Sequence, residues 1–322
     1  MEKINLLITG GAGFIGSNLV NYFLNDERVG LVRVIDDLSN GYYENIAEFE
    51  SHPRFKFIKG DICDYDTCLK AMEGIHKVSH QAALGSVPRS IENPMRSTEV
   101  NILGTVNVLY AAVQSNIDRV ILACSSSTYG DSKELPKVES RIGNPLSPYA
   151  VTKFSVEQFA DVFHKTYGLN YVGLRYFNVF GPRQNPSNPY AAVIPIFCQA
   201  FIDGKAPTIN GDGETSRDFT YVSNAIQANE LALFTENEQA LNTIYNTACG
   251  EQVTLNEMVE FLREISGKDI EPVYGHERAG DVRHSKADIS KISSNLGYKP
   301  EVKMREGLAE VYKWYKYNKT FE

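Results

Sequence analysis

Ile4-Asn5-Leu6-Leu7-Ile8-Thr9-Gly10-Gly11-Ala12-Gly13-Phe14-Ile15-Gly16, near the start of a 322-residue sequence, is the stretch that decides the fold. The apolar run 4–8 reads as a buried strand, and residues 14–26 read as a helix. Between them the glycines at 10, 13 and 16 are spaced GxxGxxG. A glycine turn lets backbone approach a pyrophosphate, and the helix behind it offers free N–H groups and a favourable dipole. Gly16 lets the helix lie close to the strand. Asp36 stands twenty residues past Gly16, at the end of the second apolar run. A merely tight turn leaves that carboxylate unexplained, whereas a bound dinucleotide uses it as acceptor for a ribose 2′-hydroxyl. The same carboxylate would repel a 2′-phosphate, so NAD is the expected cofactor rather than NADP.

The pattern continues downstream. Strands are expected at 31–35, 55–58, 78–82, 119–123 and 171–174, with helices at 64–72, 95–114 and 149–167 between them. Val100, Leu103, Val106, Leu109 and Val113 fall near one face of the 95–114 helix. Strand–helix alternation of this kind implies a Rossmann-type doubly wound parallel sheet with helices on both faces. After about residue 180 the texture changes. Gly181-Pro182, Asn185-Pro186 and Asn188-Pro189 mark a loop, then helices are expected at 195–204 and 253–266, with an aromatic-rich tail at 311–318. Residues 1–180 are therefore expected to form the dinucleotide domain. Residues 181–322 are expected to form mostly a smaller α/β substrate domain, some of whose segments return to the first.

Composition narrows the function classes. The hydrophobic content of 43% and charged content of 22% suit a globular protein large enough to bury its own core. A net charge of −8 argues against nucleic-acid or anionic-membrane partners. It leaves room for a small anionic ligand held by a few arginines. Cys63, Cys68, Cys124, Cys198 and Cys249 are scattered and form no CxxC pair, as expected of buried thiols in a reducing cytoplasm. His76 and His80 are four apart, but Lys77-Val78-Ser79-His80-Gln81-Ala82-Ala83 reads as a strand entering a loop, so no metal site is expected. The opening apolar run is too short for a signal peptide, and no run approaches the ~20 apolar residues of a membrane span.

A second constellation carries chemistry. Tyr149 and Lys153 stand i and i+4 at the start of the helix after the fifth strand, and so share a face. A phenol with an ordinary pKa near ~10 is a poor base at neutral pH, but a nearby ammonium and a positive nicotinamide favour phenolate. Tyr149 then becomes a plausible general base for a sugar hydroxyl, with Ser125 placed to hydrogen-bond the same hydroxyl.

Together the glycine motif, Asp36, the stretch Ser125-Ser126-Ser127-Thr128-Tyr129-Gly130 and the Tyr149/Lys153 pair resemble the extended short-chain dehydrogenase/reductase family. The resemblance to UDP-hexose 4-epimerases covers essentially the whole chain, and it is closer still to bacterial UDP-N-acetylglucosamine 4-epimerases. Supporting pieces are Leu146-Ser147-Pro148-Tyr149, Leu174-Arg175-Tyr176-Phe177-Asn178-Val179-Phe180-Gly181, Gly211-Asp212-Gly213, Arg217-Asp218-Phe219 and Ala279-Gly280-Asp281-Val282-Arg283. The resemblance implies Tyr149 as base, Lys153 as its partner and a nicotinamide-ribose ligand, and Ser125 with Ser126 beside the reacting hydroxyl. It implies cofactor contacts from Phe14, Ile15, Asp37 and Asn40, and from Asp61 and Ile62 near adenine. Gln81, Ala82, Ala83, Asn101 and Tyr176 would line the rest of the cofactor. Asn178, Arg217 and Arg278 would hold the UDP diphosphate, a task suited to guanidinium geometry. Gly85, Ser126, Asn178, Gln184, Ala192 and Ser285 would wall the sugar pocket, with Val193 and Asp281 also on the substrate side. A homodimer through helices 95–116 and 149–167 is the family's common assembly.

Relatives that dehydrate or decarboxylate sugars carry an acidic residue between the serine and the Tyr-Gly, where this chain has Ser126, Ser127 and Thr128. Epimerisation at C4 through a 4-keto sugar is therefore expected. Ser285 aligns with a position that is tyrosine in some epimerases restricted to UDP-glucose and UDP-galactose. A small residue there makes room for a 2-acetamido group, so UDP-GlcNAc/UDP-GalNAc is the expected pair, with UDP-Glc/UDP-Gal weaker. UDP-glucuronate is the alternative substrate, with Arg89 as the cation nearest the pocket loop, and a 4-keto-sugar reductase is the alternative reaction.

Overall fold

The computed structural model describes residues 3–186, 191–277 and 283–318, so the expected substrate contacts Arg278 and Asp281 lie outside the described residues. Strand β1 (Ile4–Thr9) leads through the glycine turn into helix α1 (Phe14–Asn25), followed by β2 (Val29–Asp36), β3 (Phe55–Lys59), α2 (Tyr65–Ala71) and β4 (Lys77–His80). Two short helices, α3 (Val87–Glu92) and α4 (Pro94–Thr98), precede a π-helical turn (Glu99–Gly104) and α5 (Thr105–Gln114). Then come β5 (Arg119–Ser125), the long α6 (Pro148–Tyr167) and β6 (Asn170–Tyr176). The later chain supplies α7 (Val193–Asp203), α8 (Val222–Phe234), β7 (Thr243–Thr247), α9 (Leu255–Ser266), α10 (Ser290–Leu296) and α11 (Met304–Tyr317).

The seven strands form one parallel sheet in the order β7-β6-β5-β4-β1-β2-β3. From β1 the chain winds outward to β3, then crosses back to β4 and winds the other way. The reversal opens a crevice beyond the carboxyl ends of β1 and β4, where doubly wound sheets bind ligands. The sheet separates two cores. One joins α1 and α8 through Leu19, Phe23, Ala228 and Tyr245, and the other joins α2, α5 and α6 through Val108, Leu109, Val156 and Ala160. A third core lies outside the sheet, where Phe197, Phe201, Met258, Leu262, Leu308 and Val311 of α7, α9 and α11 meet.

The described fold departs from the sequence expectations in four places. The 95–114 helix is interrupted by the π turn, within which Asn101 turns its amide to Leu84 and Thr152 and its carbonyl accepts from Thr105 Oγ1 at 2.7 Å. The fourth strand ends at His80, and residues 81–86 form a loop. The aromatic tail is the end of a longer helix, α11, whose Leu308, Val311, Tyr312 and Tyr315 share the buried face. Helix α8 and strand β7 were not among the expected elements; α8 packs on the main sheet, and β7 joins its edge beside β6.

Helix α6 is fixed to the sheet by charge. Glu157 receives Nε and Nη2 of Arg175 at 2.8 and 2.7 Å, with both side chains under 5% exposed. Removing one partner leaves the other charge buried and alone, so Glu157→Gln is expected to lower stability by roughly 3–5 kcal/mol. Urea unfolding measures this. Asp161→Ala, which breaks the exposed Lys165–Asp161 pair on the same helix, serves as the control and is expected to leave the midpoint unmoved.

Candidate active site

A cleft of about 920 Å³ follows the carboxyl ends of the strands and extends to the outer helices. Gly10, Gly13, Phe14, Ile15 and Gly16 line it after β1, Asp36, Asp37 and Asn40 after β2, and Asp61 and Ile62 after β3. Gly10 has φ +68°, and a Cβ there would lie 2.7 Å from the Ala82 backbone; a Cβ on Gly16 would lie 2.1 Å from the Gly10 carbonyl. Helix α1 has no side-chain cap, because its N-cap residue is Gly13. Its first N–H groups are thus left facing the cleft, as a pyrophosphate requires. Asp36 accepts the Ala12 and Leu38 N–H groups, each at 2.9 Å, which fixes the carboxylate at the cleft wall. Burial raises its pKa, against the pull of those two bonds. These residues fit a dinucleotide whose adenosine ribose lies at the end of β2.

The chemistry-bearing residues gather at the ends of β5 and α6. Ser147 caps α6, accepting the Ala150 N–H at 3.1 Å, and Pro148 opens the helix. This cap sets the first turn, which carries Tyr149, and the Tyr149 N–H is taken by Ser90 Oγ of α3 at 3.0 Å. Lys153, one turn on, is 5% exposed and donates Nζ to the Ala123 carbonyl at 2.8 Å. Desolvation pushes its ammonium down to about 8, with Cys124 and Glu157 acting in the opposite sense. Burial raises the Tyr149 phenol, and its hydrogen bond with Ser125 draws it back toward phenolate. Ser125 Oγ also accepts from Ser127 N at 3.1 Å and Ser127 Oγ at 2.9 Å, so its position is set by a serine cluster. Tyr149, Lys153, Ser125 and Ser126 all line the cleft.

The structure places the remaining expected residues unevenly. Gln81, Ala82, Ala83, Gly85, Tyr176, Asn178, Gln184, Ala192, Arg217 and Ser285 line the cleft. Val193 begins α7 and is not on the wall. Asn101 is buried and is not on the wall. It bridges Leu84 and Thr152, and Thr152 Oγ1 in turn bonds the Tyr149 carbonyl at 2.8 Å. His80 spends both ring nitrogens on Thr9 and Thr105, and His76 accepts the Asn5 N–H.

Sequence reasoning missed Asn229 of α8. Its amide joins Ser79, Gln81 and Tyr176 in one buried network, with Nδ2 2.7 Å from the Tyr176 hydroxyl. The available signal was an asparagine among the small apolar residues Ala225, Ala228 and Ala232. Tyr42, Lys137, Arg183 and Asn185 on the cleft wall were also missed. They stand on irregular segments that carry no periodic signal. Among the described residues, the carboxylates on the wall are Asp36, Asp37 and Asp61, all at the ends of β2 and β3.

Comparison with known proteins agrees with this geometry. The family model described as GDP-mannose 4,6 dehydratase matches residues 7–311. A putative UDP-glucose 4-epimerase of Methanocaldococcus jannaschii is 37% identical over 97% of this chain and 99% of its own length. Among solved structures, the UDP-N-acetylglucosamine 4-epimerase of Methanobrevibacter ruminantium M1, in complex with UDP-N-acetylmuramic acid, superposes with a TM-score of 0.92. It is 42% identical, over 98% of this chain and 99% of that one. The UDP-glucuronic acid 4-epimerase of Bacillus cereus, with UDP-glucuronic acid and NAD, gives a TM-score of 0.90 at 33% identity, over 97% and 99% of the two chains. The glycine turn with Asp36, the Tyr149/Lys153/Ser125 group and these matches along nearly the full length lead to one assignment: the chain belongs to the extended short-chain dehydrogenase/reductase family, among its NAD-dependent nucleotide-sugar 4-epimerases.

Proposed function

We propose that this chain is a UDP-sugar 4-epimerase that interconverts UDP-GlcNAc and UDP-GalNAc, with UDP-Glc and UDP-Gal as weaker substrates. The observation that carries the reaction is the Tyr149/Lys153/Ser125 group in a cleft whose wall carboxylates, among the described residues, all stand at the ends of β2 and β3. A dehydratase needs a further acid beside the serine, and Ser126, Ser127 and Thr128 occupy those positions. The glycine turn, Asp36 and Lys153 would hold NAD, which would supply a reversible hydride acceptor for the sugar C4. Tyr149 takes the C4-hydroxyl proton and later gives it back, while Ser125 orients that hydroxyl. Lys153 keeps positive charge next to the phenolate. Asn178 and Arg217 anchor the UDP, so the 4-keto sugar turns over without leaving. In this reading residues 181–322 supply most of the substrate contacts.

The sugar preference rests on Ser285, a small residue on the cleft wall. UDP-glucuronate is the second reading. The cations on the same wall that could meet a carboxylate are the buried Lys137, whose Nζ donates to the Ser132 carbonyl, and Arg89, which donates to Asn40 Oδ1 at 2.8 Å. Tyr149→Phe is expected to cut turnover by roughly a hundred-fold or more while UDP-sugar affinity holds, since only proton transfer is lost. Kinetics paired with calorimetric binding checks this, and near-normal turnover would sink the assignment. Ser285→Tyr is expected to reduce UDP-GlcNAc turnover far more than UDP-Glc turnover; NMR of the anomeric protons compares the two, and equal losses refute the gatekeeper role. Conversion of UDP-glucuronate alone would select the second reading. Dependence on added reduced cofactor would select a 4-keto-sugar reductase.

A homodimer fits this reading. Leu103 of the π turn, Tyr110 of α5 and Val151, Val162 and Tyr167 of α6 are exposed, between 40% and 53%. Val162→Glu is expected to shift the light-scattering mass of the purified protein from dimer toward monomer. The five unpaired cysteines support a reducing cytoplasm as its location, and among the described residues no helix is long and apolar enough to cross a membrane.

A further inference from the structure

Asn178, Arg217 and Ser285 come from three distant parts of the chain, yet the proposed function sets all three around one UDP-sugar. Each is tied to Asp218, which the proposed mechanism leaves without a task. Asp218 is fully buried, is absent from the cleft wall and forms no ion pair among the described residues. Its Oδ1 accepts the Cys249 N–H at 3.0 Å, and its Oδ2 accepts those of Gly250 and Ala287, each at 3.1 Å. Its carbonyl accepts from Asn178 Nδ2 at 2.9 Å. Ser216, two residues before it, pairs with the segment bearing Ser285: Ser216 N–H donates to the Arg283 carbonyl at 2.9 Å, and Ser285 N–H to the Ser216 carbonyl at 3.1 Å. A buried carboxylate with no cation is costly unless its lone pairs are met. Here main-chain N–H groups of two separate segments meet them, an arrangement that fixes those segments relative to each other.

We infer that Asp218 is a positioning residue that sets the register of the UDP-sugar wall, holding Asn178, Arg217 and Ser285 in one geometry without touching the substrate. This rests on the proposed function. The titratable or charged groups on the packed segments are Arg217 beside it, Cys249 and Glu251, Arg283, His284, Lys286 and Asp288, Lys137 beside Ala287, and Tyr298 and Lys303. Burial outweighs the N–H bonds and pushes the Asp218 carboxyl up to about 6. Above that pH the carboxylate accepts every N–H it faces. Below it, one oxygen becomes a donor, an N–H loses its acceptor, and the wall loosens.

The test is steady-state kinetics of UDP-sugar epimerisation with Asp218→Asn, together with the NAD content of the purified protein. The amide keeps the shape but turns an N–H toward N–H donors. KM for UDP-sugar is expected to rise about ten-fold, the equivalent of one lost hydrogen bond at the anchor, while kcat and NAD content hold. An unchanged KM overturns the inference, and so does a joint loss of kcat and NAD. If the variant does not fold, the wild type carries the same test. Its KM is expected to rise as pH falls from about 7.5 to 5.5, and to do so equally in His284→Gln. A flat KM, or a rise that disappears with His284→Gln, overturns the inference. A wild type inactive on every UDP-sugar removes the proposed function and this inference with it; an active one with an unmoved KM removes only the inference.

Discussion

The contact between Glu157 and Arg175 is the one on which the rest of the site depends. Tyr149, Lys153 and Glu157 follow one another at four-residue steps along α6, so they share one helix face. Arg175 belongs to β6, next to Tyr176 on the cleft wall. The bidentate pair therefore fixes the axial position and rotation of the helix that bears Tyr149 and Lys153 relative to the end of β6 on the cleft wall. Arg175 also lies over the Tyr129 ring at 4.9 Å and donates to the Glu139 carbonyl at 3.1 Å. Its charge is thus used in three directions, and the loop after Ser125 is tied to the same point. Such a buried pair is poor evidence of net stability, because desolvation offsets its attraction. Its value here is geometric, since a helix held by apolar packing alone could slide by a fraction of a turn.

Much of this was legible in the sequence because the chemistry is local. The glycine turn, Asp36 and the Tyr149/Lys153 spacing each need only a strand end and a helix start, and every one lies on the same cleft. The sheet class followed from alternation alone. What was not legible depends on convergence. Helix α8 carries Ala225, Ala228 and Ala232 in a buried stripe, and β7 is Thr243-Ile244-Tyr245-Asn246-Thr247 with no turn signal that would assign it to the main sheet. Neither segment says locally which core it joins. The π turn around Asn101 was hidden for another reason: the apolar spacing on either side is helical, and the tertiary bonds of Asn101 to Leu84 and Thr152 are not local in sequence.

The net charge of −8 is compatible with a diphosphate ligand once charges are sorted by place. Among the described residues on the cleft wall, the carboxylates Asp36, Asp37 and Asp61 are confined to the ends of β2 and β3. Arg89, Lys137, Lys153, Arg183 and Arg217 supply the positive charge on the same wall. In the proposed reading Asp36 meets a ribose hydroxyl, while Arg217 meets the phosphates and Lys153 the phenolate; Arg89 is engaged with Asn40 and Arg183 with Glu48. An anionic ligand responds to this local field inside a low-dielectric cleft far more than to the summed charge of the distant surface. The overall acidity disfavours long polyanions, which must run along the outer surface. It leaves a nucleotide-sized ligand free to enter the cleft.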